Sequence, residues 1–138
     1  MPNTLPIEMK NQKTVLLVDD DVDYLFQMRF QLERIGFKVV TAESQNEAEE
    51  FIKILKPDLA IFDLMMEHED SGFILCYKMK RMHPDVPIIL ATAVSSETGI
   101  VFSVGSEEER KWIKADLYLE KGIRPDQLQK EIFKLLKL

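Results

Sequence analysis

Five short apolar runs alternate with stretches of helical periodicity along the chain, and this alternation limits the folds open to it. The runs are rich in branched side chains and have the length of buried strands. They are Val15–Val18, Phe37–Thr41, Leu59–Asp63, Pro87–Thr92 and Leu117–Leu119. Strands joined by helical crossovers form a parallel sheet that is covered on both faces. The sequence therefore predicts an α/β fold.

Helix signals fill the intervals between these runs. Leu25, Met28 and Leu32 recur on one face of the first predicted helix. Asp21 is its predicted N-cap and Gly36 its predicted C-terminal stop. Four more helices are predicted, and they begin at Ser44, Gly72, Ser106 and Pro125. Five strands and five helices in this order fit a flavodoxin-like doubly wound sheet with parallel strands in the order 2-1-3-4-5.

The composition places the chain among ordinary globular proteins. Its 138 residues suffice for one domain with a sizeable core, and 46% of them are hydrophobic. A net charge of −6 disfavours nucleic acid as a direct partner, since phosphate contacts need clustered Lys and Arg. No apolar run approaches the roughly 18 residues that span a bilayer, and the first residues lack a signal-peptide pattern. We therefore expect a cytoplasmic protein with an N-terminal extension, 1–12, and one domain, 13–138.

Cysteine and histidine carry no predicted chemistry in this chain. The single cysteine, Cys76, excludes an internal disulfide and is expected to be buried as a small hydrophobic side chain. His68 and His83 stand in polar stretches, so both are expected to be exposed and unreactive.

Polar side chains stand at the carboxyl ends of four predicted strands. They are Asp19 and Asp20 after the first, Asp63 at the third, Thr92 at the fourth and Lys121 after the fifth. The predicted strand order brings these ends to one crevice, where open α/β sheets bind ligands. Three carboxylates in one pocket repel each other, and oxygen ligands suit Mg²⁺. Together with a lysine and a hydroxyl, this group points to phosphoryl transfer onto a carboxylate.

The same stretches closely resemble the receiver domain of two-component response regulators, over roughly residues 13–138. The matching motifs are Val15–Asp20, Ile61–Met66, Ile88–Ala93 and Tyr118–Lys121. Each motif is weak alone, whereas their order and spacing together are specific. The resemblance implies that Asp63 accepts a phosphoryl group from a histidine kinase or phosphotransfer protein, in a phosphorelay step that the domain itself helps to catalyse.

The resemblance also assigns roles to the neighbouring residues. Asp19, Asp20 and Asp63 would hold Mg²⁺, together with the backbone carbonyl of Met65. Thr92 and Lys121 would bind the phosphoryl oxygens. Thr92 and Tyr118 would turn inward together as the switch.

Signal output is expected to pass to a separate protein, which the sequence does not name. The chain leaves no room for an output domain, so a stand-alone receiver is expected. Its predicted output surface combines the helix around Glu107 to Lys114, the fifth strand and the last helix.

Three features depart from the receiver pattern. Gly122 follows Lys121, where the family places a proline in a cis bond; without proline a cis bond costs about 3–4 kcal/mol, so either that strain persists or the loop runs trans. The loop 65–72 lacks the usual proline, is slightly longer than is typical of the family and adds negative charge beside the site. The stretch 93–114 is also longer than usual.

Two alternatives stay open on the sequence. A degenerate receiver would bind partners without being phosphorylated, and Gly122 and the long stretch after Thr92 favour it. The run Asp19–Val22 also fits the Asp-x-Asp-Val signature of haloacid-dehalogenase-type phosphatases, in which Asp19 would be the nucleophile. That class needs a longer chain and a later acidic pair, whereas the fourth strand here ends in Thr92.

Overall fold

A computed structural model describes residues 12–68, 70–93 and 115–138. Its five parallel strands form one sheet in the order β2-β1-β3-β4-β5. The strands are β1 (Thr14–Val18), β2 (Lys38–Ala42), β3 (Leu59–Asp63), β4 (Ile88–Thr92) and β5 (Leu117–Glu120). Four helices are described, namely α1 (Val22–Arg34), α2 (Gln45–Ile54), α3 (Ser71–Met82) and α4 (Pro125–Leu136). The predicted fold class and strand order are confirmed.

Two of the expected segments fall outside the described residues. The helix predicted from Ser106 to Lys114 lies there, and so does nearly all of the N-terminal extension, 1–12. Within the described ranges, none of the helices combines the length and apolarity needed to cross a bilayer.

The predicted strand limits shift by one residue where the pairing partner decides them. β2 begins at Lys38 instead of Phe37, because its first residue pairs with Thr14. The backbone N–H of Phe37 instead donates to the carbonyl of Leu32 at 3.1 Å and so closes α1. β5 extends one residue beyond its predicted end, since Glu120 pairs with the last residue of β4.

Local side-chain caps start the first two helices as the sequence predicts. Asp21 Oδ1 accepts from the backbone N–H groups of Asp23 at 3.1 Å and Tyr24 at 3.2 Å. Ser44 Oγ accepts from the N–H of Glu47 at 3.1 Å, while the Glu47 carboxylate turns back to accept from the residue before the cap at 2.7 Å. Such caps satisfy helix N–H groups that have no partner within the helix.

The core lies in two layers, one on each face of the sheet. Alternate residues of β1 show the division: Leu16 and Val18 pack towards α2 and α3, while Val15 and Leu17 pack towards α1 and α4. β3 and β4 are buried at every position, as expected for central strands of a doubly wound sheet. A carboxylate at the end of β3 is therefore held at the margin of the core.

Two predictions on cysteine and histidine are confirmed and one is wrong. Cys76 is fully buried, and burial raises the pKa of its thiol to about 12. His68 is exposed. His83 is half-buried, with its ring Nε2 3.0 Å from the carbonyl oxygen of Ile52, so it links the C-terminal ends of α3 and α2. A polar sequence context did not reveal this contact between distant segments.

Candidate functional site

The carboxyl ends of four strands bring the predicted site residues to one edge of the sheet. Asp19 follows β1, Asp63 ends β3, Thr92 ends β4 and Lys121 follows β5. The first three are almost entirely buried, with 1%, 6% and 2% of their surfaces exposed. Lys121 Nζ lies 2.6 Å from Asp19 Oδ2 and 3.1 Å from Asp63 Oδ1. The lysine therefore bridges two buried carboxylates.

Asp19, Asp20 and Asp63 form a cluster that offers three oxygen ligands. One carboxylate oxygen from each lies within 4.8 Å of the others. Asp20 is exposed, whereas Asp19 is fixed in place because its Oδ1 accepts from the backbone N–H of Asp21 at 2.9 Å. Such a set suits a hard divalent cation such as Mg²⁺, which binds carboxylate oxygens and keeps several waters. Met65, in the loop after β3, has an exposed side chain.

Burial and crowding of like charges dominate the electrostatics of the site. Burial, and then the charge of Asp19, raise the pKa of Asp63 to about 7, and Lys121 offsets this only in part. Partial desolvation of its otherwise exposed carboxylate, and then the charge of Asp19, also raise the pKa of Asp20. Burial alone would lower the pKa of Lys121, but its bonds to Asp19 and Asp63 and their charges outweigh this and raise it. The ion pairs keep the lysine charged, while the carboxylates still repel each other.

We expect Asp63→Asn to stabilise the metal-free protein, and more so as the pH rises. Because the pKa of Asp63 rises from 3.8 to about 7 on folding, the folded state binds more protons than the unfolded state between these values. The free energy of unfolding must therefore fall as the pH rises through that range, and Asp63→Asn removes this contribution. Urea unfolding in EDTA at the two ends of the range measures the difference between variant and wild type.

The matched control for this measurement is Asp70→Asn. Asp70 is exposed and makes no capping hydrogen bond at the start of α3, so its replacement removes a carboxylate without touching the pocket. A wild-type pH slope that Asp63→Asn leaves unchanged would contradict the crowded pocket described above.

Thr92 presents a buried hydroxyl at the pocket. Its backbone carbonyl accepts from the N–H of Lys121 at 2.8 Å, which joins the ends of β4 and β5. Within the described part of the chain, Thr92 Oγ1 has no hydrogen-bond partner. A buried hydroxyl without a partner costs about 1–3 kcal/mol. A ligand that accepts a hydrogen bond there would remove this cost.

Tyr118 lies on the same face of the sheet as Thr92. It pairs with Leu90 on β4, two residues before Thr92, and packs against the core layer under α2 and α3. Strand alternation therefore makes Tyr118 a diagonal neighbour of Thr92. Its side chain is half-buried.

The turn after Lys121 resolves one alternative that the sequence left open. The described residues contain no cis peptide bond, so the bond between Lys121 and Gly122 is trans. The N–H of Ile123 donates to the carbonyl of Glu120 at 3.1 Å and closes a tight turn around these two residues. Lys121 reaches the carboxylates from this turn.

Tyr24 is a member of the pocket that the sequence did not suggest. The ammonium group of Lys121 lies over its ring, with Nζ 4.7 Å from the ring centroid. Burial, and then the charges of Asp19 and Asp63, raise the pKa of the Tyr24 hydroxyl, so it stays protonated. No motif marks this residue, because the contact joins the first turn of α1 to the end of β5.

The acidic loop after Asp63 makes hydrogen bonds that its sequence did not predict. Both carboxylate oxygens of Glu67 accept from the backbone N–H of Gln45, at 3.2 and 3.1 Å, so part of the added negative charge stabilises the N-terminus of α2. At the other end of the loop, the N–H of Gly72 donates to the carbonyl of Leu64 at 2.9 Å. The sequence marked Gly72 only as a helix start, yet it packs directly on the backbone that carries Asp63.

Comparisons with known proteins agree with this geometry. The family model described as "Response regulator receiver domain" matches residues 15–133. The phosphate regulon transcriptional regulatory protein PhoB of Pseudomonas aeruginosa is 33% identical over 118 residues, which is 84% of this chain and 48% of that protein. The alkaline phosphatase synthesis transcriptional regulatory protein PhoP of Bacillus subtilis is 30% identical over 125 residues, 91% of this chain and 49% of its own length.

A solved structure shares the fold as well as part of the sequence. The CheY-like response regulator receiver domain protein from Methanospirillum hungatei superposes with a TM-score of 0.76 at 25% identity, covering 91% of this chain and 94% of that one. The chain spans about half the length of the curated relatives that it matches.

Proposed function

The chain belongs to the response regulator receiver domain family, and we propose that it acts as a phosphorylation switch whose acceptor is Asp63. The observation that carries the proposal is one buried pocket in which Asp63 meets Lys121 at 3.1 Å. The unpartnered Thr92 hydroxyl at the end of the adjacent strand supports the same role. The phosphoryl donor is proposed to be a histidine kinase or a phosphotransfer protein.

Mg²⁺ is the proposed cofactor, and the residues present fit it. Asp19, Asp20 and Asp63 would supply carboxylate oxygens, and the backbone carbonyl of Met65 would complete the protein ligands. Their mutual repulsion in the metal-free state favours a divalent cation over an empty cluster. When bound, the ion would neutralise charge on the phosphoryl oxygens during transfer.

The side chains then divide the work of transfer. A carboxylate oxygen of Asp63 would attack the phosphorus, the bond to the donor's leaving group would break, and the donor would keep that electron pair. Lys121 would pair with a phosphoryl oxygen, and Thr92 Oγ1 would donate a hydrogen bond to another. Hydrolysis of the resulting acyl phosphate by water would reset the domain.

The switch is proposed to run from Thr92 to Tyr118. A Thr92 hydroxyl drawn to the phosphoryl group would leave room on the face of the sheet where Tyr118 packs, and the tyrosine would turn inward. The surface that reports this change would include β5 and α4, together with the helix predicted at Glu107–Lys114, which lies outside the described residues. The receiver domain, proposed to span 13–138, would pass the signal on through this surface.

Incubation with Mg²⁺ and acetyl phosphate tests the proposal directly. We expect intact-mass measurement to show one added phosphoryl group, which hydroxylamine removes because acyl phosphates are labile to it. EDTA should prevent the addition, and Mg²⁺ alone should raise the melting temperature by binding the folded state. A melting temperature that responds to Mg²⁺ without any adduct would favour the degenerate receiver, which binds partners without phosphorylation.

A further inference from the structure

The position of Lys121 depends on few contacts. Its ammonium group is held by the carboxylates of Asp19 and Asp63, and the backbone behind it is a tight turn that continues into Gly122. Glycine restrains the chain less than any other residue, and a lysine side chain is a flexible four-carbon stem. The carboxylates therefore decide where the ammonium group sits in the metal-free protein.

Those same carboxylates are the groups that the proposed chemistry uses. If Asp19 held a cation and Asp63 carried a phosphoryl group, Lys121 would exchange both of its present ion-pair partners for a phosphoryl oxygen. The described neighbour that stays unchanged is the ring of Tyr24, whose centroid lies 4.7 Å from Lys121 Nζ. An aromatic face at this distance attracts a cation, and the attraction is stronger where water is excluded.

Tyr24 is itself held through its backbone and through its side chain. Its backbone N–H donates to the cap residue Asp21 at 3.2 Å, and Asp21 in turn donates its own N–H to Asp19 at 2.9 Å. The side chain packs against the core layer beneath α1 and α4. The helix cap, the aromatic ring and the metal-binding carboxylate therefore form one connected unit around Lys121.

We propose that Tyr24 is a positioning residue, whose ring holds the Lys121 ammonium group over the pocket when the carboxylates are engaged. This inference deepens the proposed function and rests on it for the part that concerns phosphorylation. The turn after Lys121 is trans and contains a glycine, so it restrains the position of the lysine little. Tyr24, on α1, would supply that restraint. The hydroxyl of Tyr24 has no part in the role, because the contact is to the face of the ring.

Two measurements on Tyr24 variants test the proposal. Tyr24→Phe keeps the ring and should phosphorylate with acetyl phosphate at the wild-type rate, whereas Tyr24→Leu should be slower by roughly two- to thirtyfold. Carbon-13-labelled lysine gives an independent readout by NMR, since the ring should shift the methylene signals next to Lys121 Nζ upfield. That shift should persist in Tyr24→Phe and disappear in Tyr24→Leu.

Controls keep the possible outcomes apart. Tyr24→Met serves if the leucine variant folds poorly, and Tyr77→Leu removes an exposed tyrosine on α3 that does not face the pocket. A slow Tyr24→Phe, or a slow Tyr24→Leu whose Lys121 signals do not move, would overturn the proposal. If wild type itself forms no adduct, the proposed function fails, and loss or retention of the Lys121 shift in Tyr24→Leu still decides whether the ring holds the ammonium group.

Discussion

Replacing Asp63 with asparagine is expected to abolish the phosphoryl adduct that wild-type protein forms with Mg²⁺ and acetyl phosphate. An amide oxygen carries no charge with which to attack phosphorus, and the buried neighbour Asp19 is poorly placed to substitute. Asp19 is 1% exposed, and both of its oxygens are engaged, Oδ1 by the backbone N–H of Asp21 at 2.9 Å and Oδ2 by Lys121 at 2.6 Å. Intact mass before and after hydroxylamine measures the loss.

The choice of control variants makes the result specific to Asp63. Asp21→Asn changes an exposed carboxylate in the same acidic run, and asparagine caps helices about as well as aspartate, so this variant should still form the adduct. Asp19→Asn tests the remaining alternative, in which Asp19 is the nucleophile. If the adduct survives in Asp63→Asn and is lost in Asp19→Asn, the nucleophile is Asp19, as in haloacid-dehalogenase-type phosphatases, and the proposed assignment is wrong.

Strands and helix starts could be predicted from the sequence because their causes are local. β3 has the predicted limits, Leu59–Asp63, since Pro57 precedes an unbroken apolar run that ends in a carboxylate. The caps at Asp21 and Ser44 follow from side chains that reach only two or three residues along the chain. Once five strands alternate with helices, the parallel sheet places their polar ends at one edge.

Other features could not be predicted because they depend on contacts between distant segments. The ring of Tyr24 meets Lys121 across the crevice, His83 meets the carbonyl of Ile52, and Glu67 meets the start of α2. None of these pairs has a periodicity or a spacing that a single sequence displays. The family resemblance did not supply them either, since it concerns the pocket residues that receivers share and not the side chains that support them here.

Gly72→Ala is expected to destabilise the protein strongly, although no catalytic or binding motif in the sequence includes this position. A Cβ atom at Gly72 would lie 2.6 Å from the carbonyl oxygen of Asp63 and 2.7 Å from both Cα and the carbonyl oxygen of Leu64. These are backbone atoms at the end of β3, so no side-chain rotation relieves the overlap. Overpacking of this kind costs about 1–3 kcal/mol in the free energy of unfolding, which denaturant titration measures.

The same overlap should affect phosphorylation as well as stability, because the backbone that must move carries Asp63. We expect Gly72→Ala to form the phosphoryl adduct more slowly as well as to unfold at lower denaturant. Gly122→Ala is the matched control: its Cβ would meet only the flexible end of Glu120, at 3.3 Å, so stability should stay within about 1 kcal/mol of wild type. Equal stability of the two variants would show that α3 does not press on the end of β3. A destabilised Gly72→Ala with an unchanged phosphorylation rate would show that this packing supports the fold but does not set the position of Asp63.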